Sequence, residues 1–312
     1  MSLLALPPLS DAKRELVEEI LELRKSRQVI LLAHNYQRPE IQALADFVGD
    51  SLGLSRKAAA APEQVIVFCG VYFMAETAYI LAPEKRVLMP DPKAGCPLAD
   101  TITADDVISL RAAHPGAPVV SYVNCSAAVK AESDICCTSS NAVAVVESLP
   151  GDAVIFVPDK HLAYWVQSQV SKKIIAWPGY CPTHHKITRQ QVEALQAQYP
   201  EAEFIAHPEC TSQVLDIADV ILSTSKMYEY ARNSKARVII IGSEQGLAYR
   251  LGLENPGKTF LFPSKQTICP NMKLTTLKKL RDSLAHDQYV VTVPQDIRLR
   301  ARQAVERMVS IG

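Results

Sequence analysis

Short apolar runs, none longer than a strand, alternate along the chain with segments whose apolar residues recur at helical spacing. The runs are "VILLAH", "VIVFCG", "RVLMP", "VVSYVN", "AVIFVP", "KIIAWP", "EFIAHP", "RVIIIG" and "TFLFP". Each is built on a near-continuous apolar stretch, as parallel strands covered by helices on both faces require. The pattern predicts an α/β fold with nine such strands, preceded by a charged amphipathic helix over residues 11–26. No low-complexity segment or evident linker interrupts it.

The strands form three groups that resemble one another. Each group opens on a strand with a polar end: "LLAHNYQ", "VVSYVNCS" and "EFIAHPECT". An acidic segment and a Ser/Thr-rich turn follow, then a second strand and helix. A third strand ends in proline and enters a loop with one cysteine: "VLMPDPKAGCPLAD", "IIAWPGYCPTHH" and "FLFPSKQTICPNMK". In all three loops the cysteine is followed directly by proline.

The spacing supports a true repeat. His34 to Ser51 and His207 to Thr224 are both 17 residues, and Asn124 to Ser139 is 15. Ser51 to Cys96 and Thr224 to Cys269 are both 45, and Ser139 to Cys181 is 42. Ordinary α/β alternation explains the strands but not three aligned Cys-Pro loops. The expected domains are residues 1–112, a first α/β repeat with the N-terminal helix; 113–198, a second; and 199–312, a third with the C-terminal helix.

Parallel α/β units bind ligands beyond the carboxyl ends of their strands. Three units around a pseudo-threefold axis would bring Cys96, Cys181 and Cys269 to one centre. Three thiolates suit an iron–sulfur cluster, zinc or copper(I). Zinc could take His184, three residues after Cys181, as a fourth ligand. A lone cysteine is most often a core residue, and Cys69, Cys125, Cys136, Cys137 and Cys210 are assigned mainly to packing.

The strand ends add His34, Tyr36, Tyr122, Asn124, His207 and Glu209 to the same centre, residue types suited to proton transfer. Ser51, Ser139, Ser223 and Thr224 precede helical patterns. They serve there either as helix caps or as anion-binding hydroxyls beside free helix N–H groups.

Composition narrows the partners. The 312 residues carry 33 basic and 33 acidic side chains, so no charge excess favours nucleic acid or anionic lipid. The longest apolar runs are far short of a membrane span. The N-terminus lacks the charged start of a signal peptide. Eight cysteines without a CxxC pair fit reduced cytoplasmic thiols better than a secreted disulfide framework.

The motifs "AHNYQRPEIQALADFVGDSLGLS", "FCGVYFMAETA", "GCPLAD", "SYVNCSAAVKAESDICCTSSNA", "FVPDKHLA", "GYCPTHHKI", "HPEC" and "CPNMK" resemble those of the quinolinate synthase family from about residue 29 to 275. The resemblance implies three homologous three-layer αβα domains around a central 4Fe–4S cluster, ligated by Cys96, Cys181 and Cys269, with one iron free of cysteine. It implies substrate contacts from His34, Tyr36, Ser51, Tyr122, Asn124, Ser139, His207, Glu209 and Thr224, with Ser223 beside the last. His34, Tyr36, Tyr122, His207 and Glu209 are the candidates for proton transfer. The implied reaction condenses iminoaspartate with dihydroxyacetone phosphate to quinolinate, for NAD biosynthesis. A transient contact with an aspartate-oxidising enzyme is the expected macromolecular partner. The alternatives are an iron–sulfur hydro-lyase acting on a hydroxy acid and a non-enzymatic metal-binding scaffold.

Overall fold

The computed structural model describes residues 5–311. Residues 1–4 and 312, the extreme ends of the first and third predicted repeats and the start of the segment read as lacking a signal peptide, lie outside the described residues. Three parallel four-stranded sheets are present, each with flanking helices. The first holds β1 (Val29–His34), β2 (Phe47–Gly49), β3 (Val65–Cys69) and β4 (Arg86–Leu88). The second holds β5 (Val119–Tyr122), β6 (Ile135–Cys137), β7 (Ala153–Val157) and β8 (Lys173–Ala176). The third holds β9 (Glu203–Ala206), β10 (Val220–Ile221), β11 (Val238–Gly242) and β12 (Thr259–Leu261).

All three sheets share one strand order. In the first it is β2-β1-β3-β4, in the second β6-β5-β7-β8 and in the third β10-β9-β11-β12. The chain direction across each sheet therefore reverses at the first strand of the repeat. The crevice beyond that strand's carboxyl end is the favoured ligand position in such sheets.

The nine predicted strands are all present. The other three, β2, β6 and β10, lie where the sequence shows only an acidic segment and turn. A shared aspartate defines them instead. Asp46 Oδ2 accepts the Leu31 N–H at 2.8 Å, Asp134 Oδ2 the Val119 N–H at 2.7 Å and Asp219 Oδ2 the Phe204 N–H at 2.7 Å. Each aspartate N–H in turn bonds back to the same residue's carbonyl. This reciprocal pair fixes the register of the short edge strand and repeats in all three sheets.

Continuous apolar strands follow from burial on both faces. Val29, Leu31 and Ala33 of β1 pack with Val17, Ile20, Leu280 and Leu284 from the helices Asp11–Arg27 and Leu277–His286. Ile30 and Leu32 face the opposite way, into the large cluster with Leu54, Phe68 and Ile80. The C-terminal helices pack away from the third sheet. Helix Leu277–His286 lies on the N-terminal helix, and helix Gln295–Ser310 packs against β6 and the helices Ala127–Ala131 and Tyr72–Leu81. Its Ala301, Ala304, Val305 and Met308 stripe is fully buried there, between the first and second repeats.

Candidate active site

Each Cys-Pro pair opens a turn leading to a 3-10 helix: Ala99–Thr101, His184–Lys186 and Asn271–Lys273. Proline supplies the helical φ such a turn needs, and Pro270 sits at −63°. The turn aims backbone N–H groups at the sulfur. Cys96 accepts from Ala99 and Leu98, Cys181 from His184, and Cys269 from Met272 and Asn271. Two of the loops are also held by a buried acid. Asp159 Oδ2 takes the Cys181 N–H at 3.2 Å, and Glu244 Oε1 takes that of Cys269 at 3.0 Å.

The three loops line one cavity. Cys96, Cys181 and Cys269 are partly exposed, whereas Cys69, Cys125, Cys136, Cys137 and Cys210 are fully buried. Burial pushes the Cys96 thiol up to about 12, and raises Cys181 well above the usual thiol range and Cys269 more modestly. Burial thus favours the neutral thiol, and a metal bound there has to displace its proton.

The strand ends contribute the polar wall. His34, Tyr36, Tyr122, Asn124, His207 and Glu209 all line the cavity, and none comes from the same strand end as a Cys-Pro loop. His34 Nδ1 accepts the Tyr36 N–H at 3.1 Å, and His207 Nδ1 accepts that of Glu209 at 3.3 Å. This leaves His34 as the Nε2–H tautomer, whereas His207 Nδ1 also lies 3.3 Å from Glu209 Oε2 and can donate to that carboxylate. Burial holds His34 neutral down to about 3 and also lowers His207, against the pull of Glu209.

His184 connects all three repeats. Its Nδ1 is 2.9 Å from Glu209 Oε2 and 3.3 Å from Cys181 Sγ. Its Nε2 is 3.2 Å from the Tyr36 hydroxyl and 3.3 Å from Ser243 Oγ. Its ring stacks on His207, with centroids 4.7 Å apart. Burial alone would raise the Glu209 carboxyl, but His184 and His207 hold it well below the usual range. Tyr36 and Tyr122 are raised well above theirs by burial and then by Glu209.

The hydroxyl residues divide. Ser51, Ser139 and Thr224 line the cavity; Ser223 does not, and its hydroxyl points at Asp50 Oδ2 3.5 Å away. None of the four caps a helix through its side chain. Asp50 is the N-cap of Ser51–Ala60, Asn141 that of Ala142–Glu147, and Ser223, at the N-cap of Thr224–Asn233, makes no capping bond. Thr224 Oγ1 accepts from Asn35 Nδ2 at 2.8 Å, which frees its own proton. No lysine or arginine lines the cavity among the described residues.

Comparison with known proteins decides the family. The family profile described as Quinolinate synthetase A protein matches residues 18–310. A quinolinate synthase of Dehalococcoides mccartyi strain CBDB1 is 55% identical, over 96% of this chain and 99% of its own. The quinolinate synthase of Geobacter metallireducens is 54% identical, over 94% and 97%. Quinolinate synthase 1 of Methanosarcina acetivorans is 52% identical, over 95% and 98%. The chain belongs to the quinolinate synthase family.

Within that family frame, the donor set suits a metal. Cys181, His184 and Glu209 offer ligand atoms within 4.8 Å of one another, and the Cys96 and Cys269 thiols share their cavity. Sulfur-rich donors with backbone N–H bonds to sulfur are compatible with an iron–sulfur cluster. Sequence reasoning named His184 only as an alternative zinc ligand. It missed Asp50, Asp159 and Glu244 as residues of the site. The "PDK" of "FVPDKHLA" and the "SEQ" of "GSEQGLAY" occupy equivalent places after β7 and β11, and that equivalence was the available signal.

Proposed function

We propose that the protein condenses iminoaspartate with dihydroxyacetone phosphate to quinolinate, releasing phosphate and water, in NAD biosynthesis. The overall balance needs neither oxidant nor reductant. The observation that carries this reading is the meeting of three Cys-Pro thiols and the His184–Glu209–Tyr36 network in one cavity of a quinolinate synthase family chain. Cys96, Cys181 and Cys269 are the residues to hold a 4Fe–4S cluster, one from each repeat. Such a cluster, with one iron free of cysteine, supplies a Lewis acid when bound.

The chain's own residues account for binding and proton movement. The Nε2–H group of His34 offers a donor to substrate carboxylate or phosphate oxygens. The helix Thr224–Asn233 adds its free first-turn N–H groups and the Thr224 hydroxyl. Ser51 and Ser139 contribute hydroxyls from the other two repeats. With no lysine or arginine in the wall among the described residues, anion binding rests on these neutral donors and the helix dipole.

Tyr36 can take a substrate proton as its own passes to His184 Nε2, while Glu209 stabilises the imidazolium through Nδ1–H. Asn124 steadies Glu209 from Oε1 at 3.3 Å, and its own buried Oδ1 has no partner among the described residues, leaving it for a substrate N–H or O–H. Tyr122 faces the same space as a second hydroxyl donor. A cytoplasmic location and transient contact with an aspartate-oxidising enzyme, as the source of the unstable imino acid, belong to the same proposal.

The test is an anaerobic assay of reconstituted protein with both substrates. Dihydroxyacetone phosphate consumption, phosphate release and quinolinate formation should match one another. A hydro-lyase would dehydrate a hydroxy acid and leave dihydroxyacetone phosphate untouched, and a scaffold would consume neither.

A further inference from the structure

The trio Cys181, His184 and Glu209 has a second use that does not depend on the proposed reaction. We propose that in the cluster-free protein Cys181 Sγ, His184 Nδ1 and Glu209 Oε2 form a mononuclear site for a divalent borderline metal, zinc above all. The three donors already converge, with Nδ1 3.3 Å from the sulfur and 2.9 Å from the carboxylate oxygen. Zinc–ligand bond lengths at tetrahedral angles put N and O about 3.4 Å apart and N and S about 3.6 Å apart. These two edges need a few tenths of an ångström of opening, and the sulfur–carboxylate edge, within 4.8 Å, settles to about 3.5 Å around the ion. Three protein ligands leave its fourth position to water.

The surroundings match those of a zinc site. Ligating histidines usually donate their second N–H to a fixed oxygen. Zinc on Nδ1 moves the His184 proton to Nε2, where Tyr36 Oη and Ser243 Oγ lie 3.2 and 3.3 Å away. The Glu209 oxygen not used for metal is held by Asn124, and the Cys181 backbone by Asp159. Cys96 and Cys269 are outside this trio. The ion therefore needs one of the three cavity cysteines, and in taking Cys181 it blocks assembly of any cluster that needs all three. Zinc and cluster occupancy are mutually exclusive, and zinc-loaded protein should refuse iron and sulfide until the zinc is chelated.

The test is anaerobic titration of cluster-free full-length protein with Co²⁺, followed by Zn²⁺ competition. One Co²⁺ per chain is expected, with charge-transfer intensity for a single thiolate and displacement by Zn²⁺. Cys96→Ser and Cys269→Ser should bind as the parent does. Cys181→Ser should lose the charge-transfer band, and His184→Ala and Glu209→Gln should weaken binding at least tenfold. Circular dichroism and melting curves confirm that each variant is folded. Loss of Co²⁺ in Cys96→Ser or Cys269→Ser would overturn the assignment in favour of a three-thiolate site. So would a three-thiolate spectrum, or no binding in the folded parent.

Discussion

His184 Nδ1 lies 2.9 Å from Glu209 Oε2, a contact between the second and third repeats buried to within a few per cent on both sides. Because the same imidazole reaches Tyr36 through Nε2, a residue from the first repeat joins them. The three-repeat architecture thus assembles a Tyr36–His184–Glu209 hydrogen-bonded chain, the proposed proton path, that no single repeat contains.

That path predicts a kinetic signature. Tyr36→Phe should lower kcat about 10²–10⁴-fold with unchanged iron content, as loss of a general acid–base does. His184→Gln should cost a comparable factor. Their combination should lose little more than either alone, because members of one relay act as a unit. Turnover measured by phosphate release decides it; multiplicative losses would show two independent roles.

The cavity hydroxyls give a second prediction. Ser51→Ala and Ser139→Ala should weaken substrate binding while leaving the melting temperature nearly unchanged, since neither hydroxyl caps a helix. Thr224→Val should weaken binding more, by about 1.5–3 kcal/mol if the hydroxyl meets a charged oxygen. Thr224→Ser, which keeps the hydroxyl, should retain affinity. Lowered melting temperatures with intact affinity would mark the residues as structural.

Acid stability gives a third. Burial lowers His34 to about 3 and His161 to about 4, so both stay neutral in the folded chain where an unfolded chain, near 6.5, takes up protons. The unfolded state binds more protons in that window, so stability is full above about pH 6.5 and falls as pH drops towards these values. His161→Phe, outside the cavity, should flatten the slope of unfolding free energy between about pH 6.5 and 4 in urea titrations. An unchanged slope would contradict the assignment.

Much of this arrangement can be read from the sequence, and the exceptions share a cause. Cys96, Cys181 and Cys269 stand out because Cys-Pro recurs after aligned strands, and His34, Tyr122 and His207 because they end those strands. Local pattern carries both signals. Asp46, Asp134 and Asp219 define the short strands through bonds across 15 residues, which periodicity does not register. His184 gains its role from partners in two other repeats. The helix Gln295–Ser310 shows an apolar stripe in the sequence, but only the assembled fold shows that the stripe covers the first and second repeats.

On the proposed function three cysteines, one per repeat, hold a single cluster while the other five serve packing. Iron and sulfide analysis with an absorption spectrum, on protein reconstituted anaerobically, tests it most directly. The wild type should carry one 4Fe–4S cluster per chain. Cys96→Ser, Cys181→Ser and Cys269→Ser should each fail to retain it, and Cys125→Ser, Cys136→Ser and Cys210→Ser should keep substantial iron. A normal cluster in Cys96→Ser, or its loss in Cys136→Ser protein that remains folded, would contradict the account.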